Sequence, residues 1–313
     1  MKRIAFIASA AIVVAMLWDG NAPSARAQAQ GQPAAAPAGR GDGPQGRGRG
    51  GRGGGRGPRQ RKVVLAWADT RNGIAQHESV SHALSVIERL GYESGAYDTF
   101  IRTDSNIIAK SPLMTTGQPA SGGPSLAIAD AIFFLGHRDV PLDDKQKADL
   151  LAFVRDEGKG FVAGHTALTA FESWPEFGDL IGGRYDGHPW GSAPGTVIND
   201  APDFPATRHF PAALAIADEF YQPKAFSREK ARVLLRLDVS KMAPNAEYHG
   251  TNGDLPLAWA KTYGKGRVFY ASFAHDPATW DNRDVRQMYF EAIKWALGLT
   301  DGDAGPRPLP ATR

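Results

Sequence analysis

The sequence predicts an α/β fold in which a mainly parallel sheet is covered by helices on both faces. Within residues 63–299, short runs of buried-strand type alternate with segments whose apolar residues recur at helical spacing. The composition supports a folded domain of enzyme size, because 42% of the 313 residues are hydrophobic and 22% are charged. The absence of cysteine excludes disulfides, thiolate nucleophiles, zinc–thiolate clusters and iron–sulfur sites.

The elements follow one another in a regular order. We predict that Gly91 ends the first helix, and that Asp143 and Gln146 form a capping box at the start of the second, which Gly158 ends. The last two strands form a hairpin through residues 263–266. The predicted strands are residues 63–68, 131–135, 160–164, 233–237, 257–260 and 267–273, and the first and last helices are residues 80–90 and 284–297.

The first 27 residues have the features of a signal peptide. Two basic residues precede an apolar run of 14 residues, and Ala25-Arg26-Ala27 forms a small-x-small cleavage site before Gln28. This run is shorter than the about 20 apolar residues that a bilayer-spanning helix needs, so an uncleaved N-terminal anchor is the weaker alternative. We therefore expect a periplasmic or secreted protein.

Residues 28–62 form a linker rich in arginine and glycine, which we expect to be disordered. Residues 1–62 contain eleven Lys/Arg and two Asp, whereas residues 63–313 contain 25 basic and 31 acidic side chains. The basic pI therefore comes from the N-terminal segment, and no nucleic-acid partner is expected for the globular domain. The linker either has no partner or contacts anionic envelope surfaces weakly. Residues 300–313 are expected to form a flexible C-terminal tail.

Histidines gather where the predicted strands end. His137, His165 and His275 each follow a strand within two residues, and His77 lies between the first strand and its helix. His188 lies in a separate polar loop. The carboxyl ends of parallel strands share one edge of a sheet, where ligands bind in such folds. The sequence therefore predicts a histidine-lined pocket at this edge.

The turn at His165 resembles a nucleophile elbow, in which a tight glycine turn exposes one side chain above the sheet. An imidazole at this position favours proton transfer, oxyanion contact or metal ligation over acyl-enzyme chemistry. A carboxylate of the Asp218-Glu219 pair could orient a histidine or act as a base. We expect His165, His275 and Glu219 to be catalytic, and a second group to bind substrate: His77, His137, His188, Trp190, Asp218 and Tyr221.

Two further features bear on the pocket. Aromatic residues near the same loops are typical of a face on which a sugar ring stacks: Trp190, Phe220, Tyr221 and Trp280. Three histidines and a carboxylate could also hold zinc or another divalent ion, although a His-Glu-x-x-His motif is missing. A metal site and a metal-free acid–base pocket therefore both remain open.

Several of these segments together resemble the ThuA-like family, which is named for a trehalose-utilisation protein. The resemblance covers about residues 63–299 and implies the class I glutamine amidotransferase-like fold, a flavodoxin-like architecture. It implies a role in carbohydrate metabolism, including the handling of sugars oxidised at C3. The motifs that carry it are residues 73–79, 160–165, 174–177, 181–190, 218–221, 263–270 and 273–275.

The resemblance also assigns positions within the site. The family pattern matches His77, the Gly-His-Pro around His188 and the Asp-Glu-aromatic-Tyr at residues 218–221. Amidotransferases of this fold carry a catalytic cysteine at the elbow and a histidine after a later strand. Here His275 matches the later histidine, but the elbow residue is His165 and the sequence has no cysteine. Glutamine hydrolysis is therefore excluded. His137 departs from the pattern, which implies a small polar residue there.

We therefore expect an exported enzyme that acts on a keto-glycoside by acid–base chemistry of histidines and a carboxylate. A ketone at C3 acidifies the proton at C2, so a modest base can begin elimination across C1–C2. Two alternatives use the same residues: a non-catalytic carbohydrate-binding module, and a divalent-metal-dependent hydrolase or lyase. Titratable groups gathered at strand ends favour an enzyme.

Overall fold

The computed structural model describes residues 61–71, 76–114, 116–120 and 123–309. The predicted signal peptide and nearly all of the predicted linker lie outside these residues. Among the described residues, no helix combines the length and apolar character needed to cross a membrane.

The described residues form an alternating series of strands and helices. The strands are β1 (Lys62–Trp67), β2 (Tyr97–Arg102), β3 (Ala131–Phe134), β4 (Gly160–Gly164), β5 (Arg184–Tyr185), β6 (Ser192–Asn199), β7 (Ala213–Glu219), β8 (Pro223–Lys224), β9 (Arg232–Leu237), β10 (Pro256–Tyr263) and β11 (Gly266–Ala271). The α-helices are α1 (Ser79–Ser94), α2 (Asp144–Arg155), α3 (Pro175–Ile181), α4 (Pro277–Asp281) and α5 (Arg283–Ala296). Short 3₁₀ helices span His165–Thr169, Val239–Lys241 and Thr251–Gly253.

Nine of these strands form one sheet in the order β2-β1-β3-β4-β11-β10-β9-β6-β7. The strands from β2 to β11 are parallel, and those from β11 to β7 pair antiparallel. The α/β prediction and the β10–β11 hairpin are confirmed. Strand β2 was not predicted from the sequence, nor were β6 and β7, which extend the sheet beyond the hairpin and β9.

Helices cover the sheet on both faces, as predicted. One face packs α1, α4 and α5 against side chains such as Val64 and Phe133, and the other packs α2 and α3 against Leu65 and Phe134. Successive strand residues point to opposite faces, so a strand buried on both sides is apolar throughout. The run from Val64 to Trp67 is completely buried for this reason.

Helix ends follow the predicted signals in one case and depart from them in another. Asp143 and Gln146 form the capping box of α2, as predicted. The prediction that Gly91 ends α1 is wrong, because the helix continues to Ser94 and ends at Gly95, whose φ is 66°. Gly91 instead allows close packing, since a Cβ atom there would lie 2.4 Å from the Tyr97 ring.

Two predicted boundaries also change. Lys62 opens β1 instead of closing the linker. The start of the predicted flexible tail is attached to the domain, since Arg267 donates to the Thr300 carbonyl at 3.1 Å and the Trp295 indole donates to the Gly302 carbonyl at 3.0 Å. The buried Arg232 side chain also donates to the Asp303 carbonyl. The start of the predicted flexible tail is therefore hydrogen-bonded to the domain at Thr300, Gly302 and Asp303.

Candidate active site

Four histidines meet at the carboxyl edge of the parallel strands. His77 follows β1, His137 follows β3, His165 directly follows β4 and His275 follows β11. The His77 ring lies 5.3, 5.2 and 4.6 Å from the rings of His137, His165 and His275, measured between centroids. The structure thus brings together all four histidines that the sequence places at this edge.

His165 occupies a tight turn that resembles the predicted elbow. Its φ is 35°, a left-handed conformation that residues other than glycine adopt at a cost. Its Nδ1 donates to the Ser272 carbonyl at 2.7 Å, and Tyr270 donates its hydroxyl proton to the His165 carbonyl at 3.0 Å. The side chain is 1% exposed, so it lies beneath the surface of the pocket.

The histidine–glutamate cluster consists of His77, His165, Glu219 and His275. The His165 Nε2 lies 3.2 Å from His275 Nδ1, and Glu219 Oε2 lies 3.3 and 3.1 Å from these two nitrogens. One nitrogen or oxygen from each of the four residues lies within 4.8 Å of all the others. Four donor atoms at these separations could surround a single metal ion.

Charge within the cluster is set by burial and by the neighbouring groups. Burial lowers the pKa of His77 to about 4, helped by the nearby imidazoles of His165, His275 and His137. Burial alone would raise the pKa of Glu219, but the hydrogen bond with His165 and the charges of the nearby histidines lower it to about 2. At neutral pH His77 is therefore uncharged and Glu219 is ionised.

Glu219 also contacts His188 in the wall of the pocket. Its Oε1 lies 3.5 Å from His188 Nε2, and the Tyr185 hydroxyl contacts His188 Nδ1. Burial and the charge of Glu219 raise the pKa of Tyr185, so the phenol keeps its proton at neutral pH. These three residues form a carboxylate–imidazole–hydroxyl chain, which we call the Glu219–His188–Tyr185 chain.

Above the cluster lies a cavity of about 960 Å³. Five predicted site residues line it: His77, His137, His188, Glu219 and Tyr221. No role was predicted for the other lining residues, of which Tyr185 makes the most informative contacts. Tyr185 precedes His188 by three residues in the Arg-Tyr-Asp-Gly-His segment, and this proximity is the sequence signal that could have identified it. The other lining residues are Arg138, Asp139, Leu168, Thr169, Glu172, Arg184, Asp186, Gly187 and Lys224.

Asp218, which we expected to bind substrate, is buried and is not among the residues that line the cavity. Its side chain is buried and accepts N–H groups from Glu219 at 2.8 Å, Ala274 at 2.7 Å and His275 at 3.1 Å. Burial raises the pKa of this carboxyl group against the effect of these bonds. Ala274 has a φ of 94°, so Asp218 holds a strained loop that carries His275.

The predicted aromatic platform is also corrected. Trp190 donates its indole N–H to the Ala243 carbonyl at 2.8 Å and lies against Tyr248, and it is not among the residues that line the cavity. Phe220 and Trp280 are buried in the core. Only Tyr221 of this group reaches the cavity, where its ring stacks on His165 at 4.1 Å.

Comparison with known proteins gives the same architecture. A ThuA-like protein from Bacteroides uniformis superimposes with a TM-score of 0.60 at 20% identity, covering 79% of this chain and 95% of the other. A ThuA-like protein from Parabacteroides merdae gives a TM-score of 0.56 at 16% identity, covering 80% and 94%. At these identities the likeness shows the fold. No curated protein sequence matches significantly.

The family assignment comes from the sequence. The model of the ThuA family, described as trehalose utilisation, matches residues 63–296. This range includes the whole sheet apart from its first residue, together with every histidine of the cluster. The chain belongs to the ThuA family.

Proposed function

We propose that this protein is an exported enzyme of carbohydrate metabolism that cleaves the C1–O bond of a glycoside with a ketone at C3. The observation that carries the proposal is the Glu219–His188–Tyr185 chain, which lies in the wall of a large cavity above the histidine–glutamate cluster. A carboxylate, an imidazole and a hydroxyl in this order are an arrangement that can move a proton to or from a bound substrate.

The cavity is suited to a polyhydroxylated ligand. Its volume of about 960 Å³ is in the range of small-molecule sites. Its lining contains both acidic and basic side chains, including Asp139, Asp186, Arg138 and Lys224, so it favours neutral polar groups over a strongly charged ligand. The trehalose-utilisation description of the family supports a sugar as the substrate class.

The proposed reaction is an elimination. A base removes the proton from C2, which the C3 ketone acidifies, and the C–H electron pair forms the C1=C2 bond. The C1–O bond breaks, its electrons stay on the leaving oxygen, and that oxygen takes up a proton. No net proton, electron or co-reactant is needed. Addition of water to the resulting enone would complete a hydrolysis.

Tyr185 is placed to make the proton transfers. His188 accepts the phenolic proton when the Tyr185 oxygen takes a proton from carbon, and Glu219 stabilises the imidazolium that forms. Of the three residues expected to be catalytic, Glu219 keeps that role. His165 and His275 do not line the cavity and both contact Glu219, so we assign them to its support.

The proposal of export is supported by the N-terminal segment. The basic residues, the 14-residue apolar run and the Ala25-Arg26-Ala27 site together favour cleavage before Gln28. The absence of cysteine suits an oxidising compartment, where an unpaired thiol is a liability.

The test expresses the full chain with its own leader in a bacterial host. Mass spectrometry of the periplasmic fraction is expected to find a chain that begins at Gln28, and a full-length cytoplasmic product would contradict export. The purified protein is then incubated with 3-keto-glycosides and with the matching unoxidised glycosides. We expect release of the aglycone from the keto forms alone, because only these acidify the C2 proton.

The Glu219→Gln variant is expected to lose this release while retaining the wild-type thermal unfolding temperature within a few degrees. Equal release from keto and unoxidised glycosides would overturn the elimination. Tight binding of a keto-glycoside without any turnover would identify a carbohydrate-binding module instead of an enzyme.

A further inference from the structure

We infer that His77, His165, His275 and Glu219 form a binding site for one divalent transition-metal ion, for which Zn²⁺ is the natural probe. The site is that of the proposed function, but the inference depends only on the positions of these four side chains. It holds whether or not the keto-glycoside reaction takes place.

The spacing of the donor atoms is the first argument. Zinc binds imidazole nitrogens and carboxylate oxygens at about 2.0–2.2 Å, so tetrahedral donors lie about 3.3–3.5 Å apart. The three atoms His165 Nε2, His275 Nδ1 and Glu219 Oε2 form a triangle with edges of 3.1, 3.2 and 3.3 Å. His77 supplies a fourth donor within 4.8 Å of each of the other three ligands. Three donors thus lie close to metal-binding distances from one another.

The orientation of the donors is the second argument. A carbonyl oxygen only accepts hydrogen bonds, so His165 Nδ1 carries the proton that it donates to Ser272. Nε2, which lies 3.3 Å from Glu219 Oε2 and 3.2 Å from His275 Nδ1, would therefore be the nitrogen of His165 that binds a metal. Metal-bound histidines commonly use their second nitrogen in this way, and metal-bound carboxylates are themselves hydrogen-bonded. His188 contacts the other oxygen of Glu219 at 3.5 Å.

The backbone around the cluster is fixed by buried contacts. His165 and Ala274 both have positive φ values, 35° and 94°. Buried Asp218 accepts the N–H groups of Ala274 and His275, and Tyr221 stacks on the His165 ring. Strained backbone persists where the surrounding structure over-determines it, frequently at ligand sites. A preorganised set of donors binds a metal more tightly because little order is lost on binding.

Three nitrogens and one oxygen form a donor set of intermediate softness, which suits Zn²⁺, Fe²⁺, Co²⁺ or Ni²⁺ better than Mg²⁺ or Ca²⁺. His77 and Glu219 both line the cavity, so an additional ligand position would face a bound substrate. An ion at this position would polarise a ketone oxygen. The competing explanation is a hydrogen-bonded network in which the same atoms share protons.

Metal binding distinguishes the two explanations. The full chain is purified without chelator and without a histidine tag, and its metal content is measured by mass spectrometry. The apo-protein is then titrated with Zn²⁺ and, separately, with Co²⁺. We expect about one ion per chain, an upward shift of the unfolding temperature with Zn²⁺, and visible Co²⁺ absorption bands of the intensity expected for low-symmetry sites.

Variants locate the ion. Replacing His77, His165 or His275 with alanine is expected to weaken Zn²⁺ binding by about 100-fold or more, since loss of a supporting residue alone costs 10–100-fold. The matched control is His82→Ala, because His82 also contacts a carboxylate, Asp281 at 2.9 Å, but belongs to a different surface. That variant is expected to bind Zn²⁺ like the wild type.

The inference is overturned if wild-type apo-protein shows neither a Zn²⁺-dependent thermal shift nor Co²⁺ bands, a result that needs no variant to fold. It is also overturned if folded His77→Ala retains wild-type affinity. Metal binding without turnover of keto-glycosides would leave the site intact and refute the proposed reaction. Undiminished turnover by metal-free protein that binds no Zn²⁺ would support the proposed reaction and refute the metal site.

Discussion

In the proposed reaction, Tyr185 obtains its reactivity from its neighbours. A phenol in water is a weak acid, and burial beside an anion raises its pKa further. Contact with His188 compensates for this, because the imidazole can accept the proton while Glu219 stabilises the resulting charge. The hydroxyl is therefore protonated at rest and can still lose its proton within the chain.

This arrangement predicts the effect of Tyr185→Phe, which removes the hydroxyl and keeps the ring. We expect kcat for a keto-glycoside to fall by about 10²–10⁴-fold, the usual contribution of a general acid–base, while KM changes little. The control is Trp190→Phe, expected to retain activity because Trp190 does not line the cavity. A loss confined to Trp190→Phe would restore the stacking role expected from the sequence and remove Tyr185 from the mechanism.

At the scale of elements, Asp218 connects two strands that lie far apart in the sheet. It lies near the end of β7, the edge strand, and binds the loop that follows β11, four positions away in the strand order. Its carboxylate also accepts the N–H of Glu219. One buried side chain thereby fixes the relative positions of Glu219 and His275.

The Asp218→Asn substitution tests this connection. The amide presents an N–H₂ group toward backbone donors, so at least one buried N–H loses its acceptor. We expect a loss of about 2 kcal/mol in the free energy of unfolding, measured by urea denaturation, together with reduced turnover. Asp98→Asn is the control, because Asp98 is exposed and, among the described residues, pairs only with Arg61, so this substitution should cost less than about 0.5 kcal/mol. Unchanged stability of the Asp218 variant would show that the loop holds its own shape.

At the scale of the whole molecule, Asp130 joins the starts of three neighbouring parallel strands. At the N-terminal end of β3, it accepts the Val63 N–H at 3.1 Å and contacts Lys62 at 3.2 Å and Lys159 at 3.0 Å. Burial alone would raise the pKa of Asp130, but these donors outweigh it and lower the pKa. The network lies opposite the cavity edge and serves stability.

A lowered pKa in the folded state fixes the sign of the pH effect. The carboxylate stabilises the fold above its unfolded pKa of about 3.9, and this contribution is lost as pH falls through the folded value. Asp130→Asn should therefore cost about 1 kcal/mol at pH 7, a modest figure because the site is partly solvated. Urea unfolding of both proteins from pH 7 to pH 2.5 should show the difference shrinking below pH 4. A constant difference would rule out the charge as its source.

Local signals predicted much of the fold. The capping box depends only on Asp143 and Gln146, which are three residues apart in the sequence. The hairpin follows from Tyr263-Gly264-Lys265-Gly266 between two apolar runs. Gly91 illustrates the limit, since a glycine that ends a helix and one that admits a neighbouring ring read alike in the sequence. The difference depends on Tyr97, which packs there only after β2 has joined the sheet.

The candidate site could likewise be predicted from the sequence only in part. The sequence alone determined that His137, His165 and His275 follow strands, and parallel strand topology then requires them to meet at one edge. Only the tertiary structure decided which atoms converge, because Tyr185 and Glu219 come from strands outside the parallel half. It also decided that Asp218 supports the site and that Trp190 lies outside the cavity. The positions of strands along the chain depend on local patterns, whereas side-chain convergence depends on long-range packing that no local pattern records.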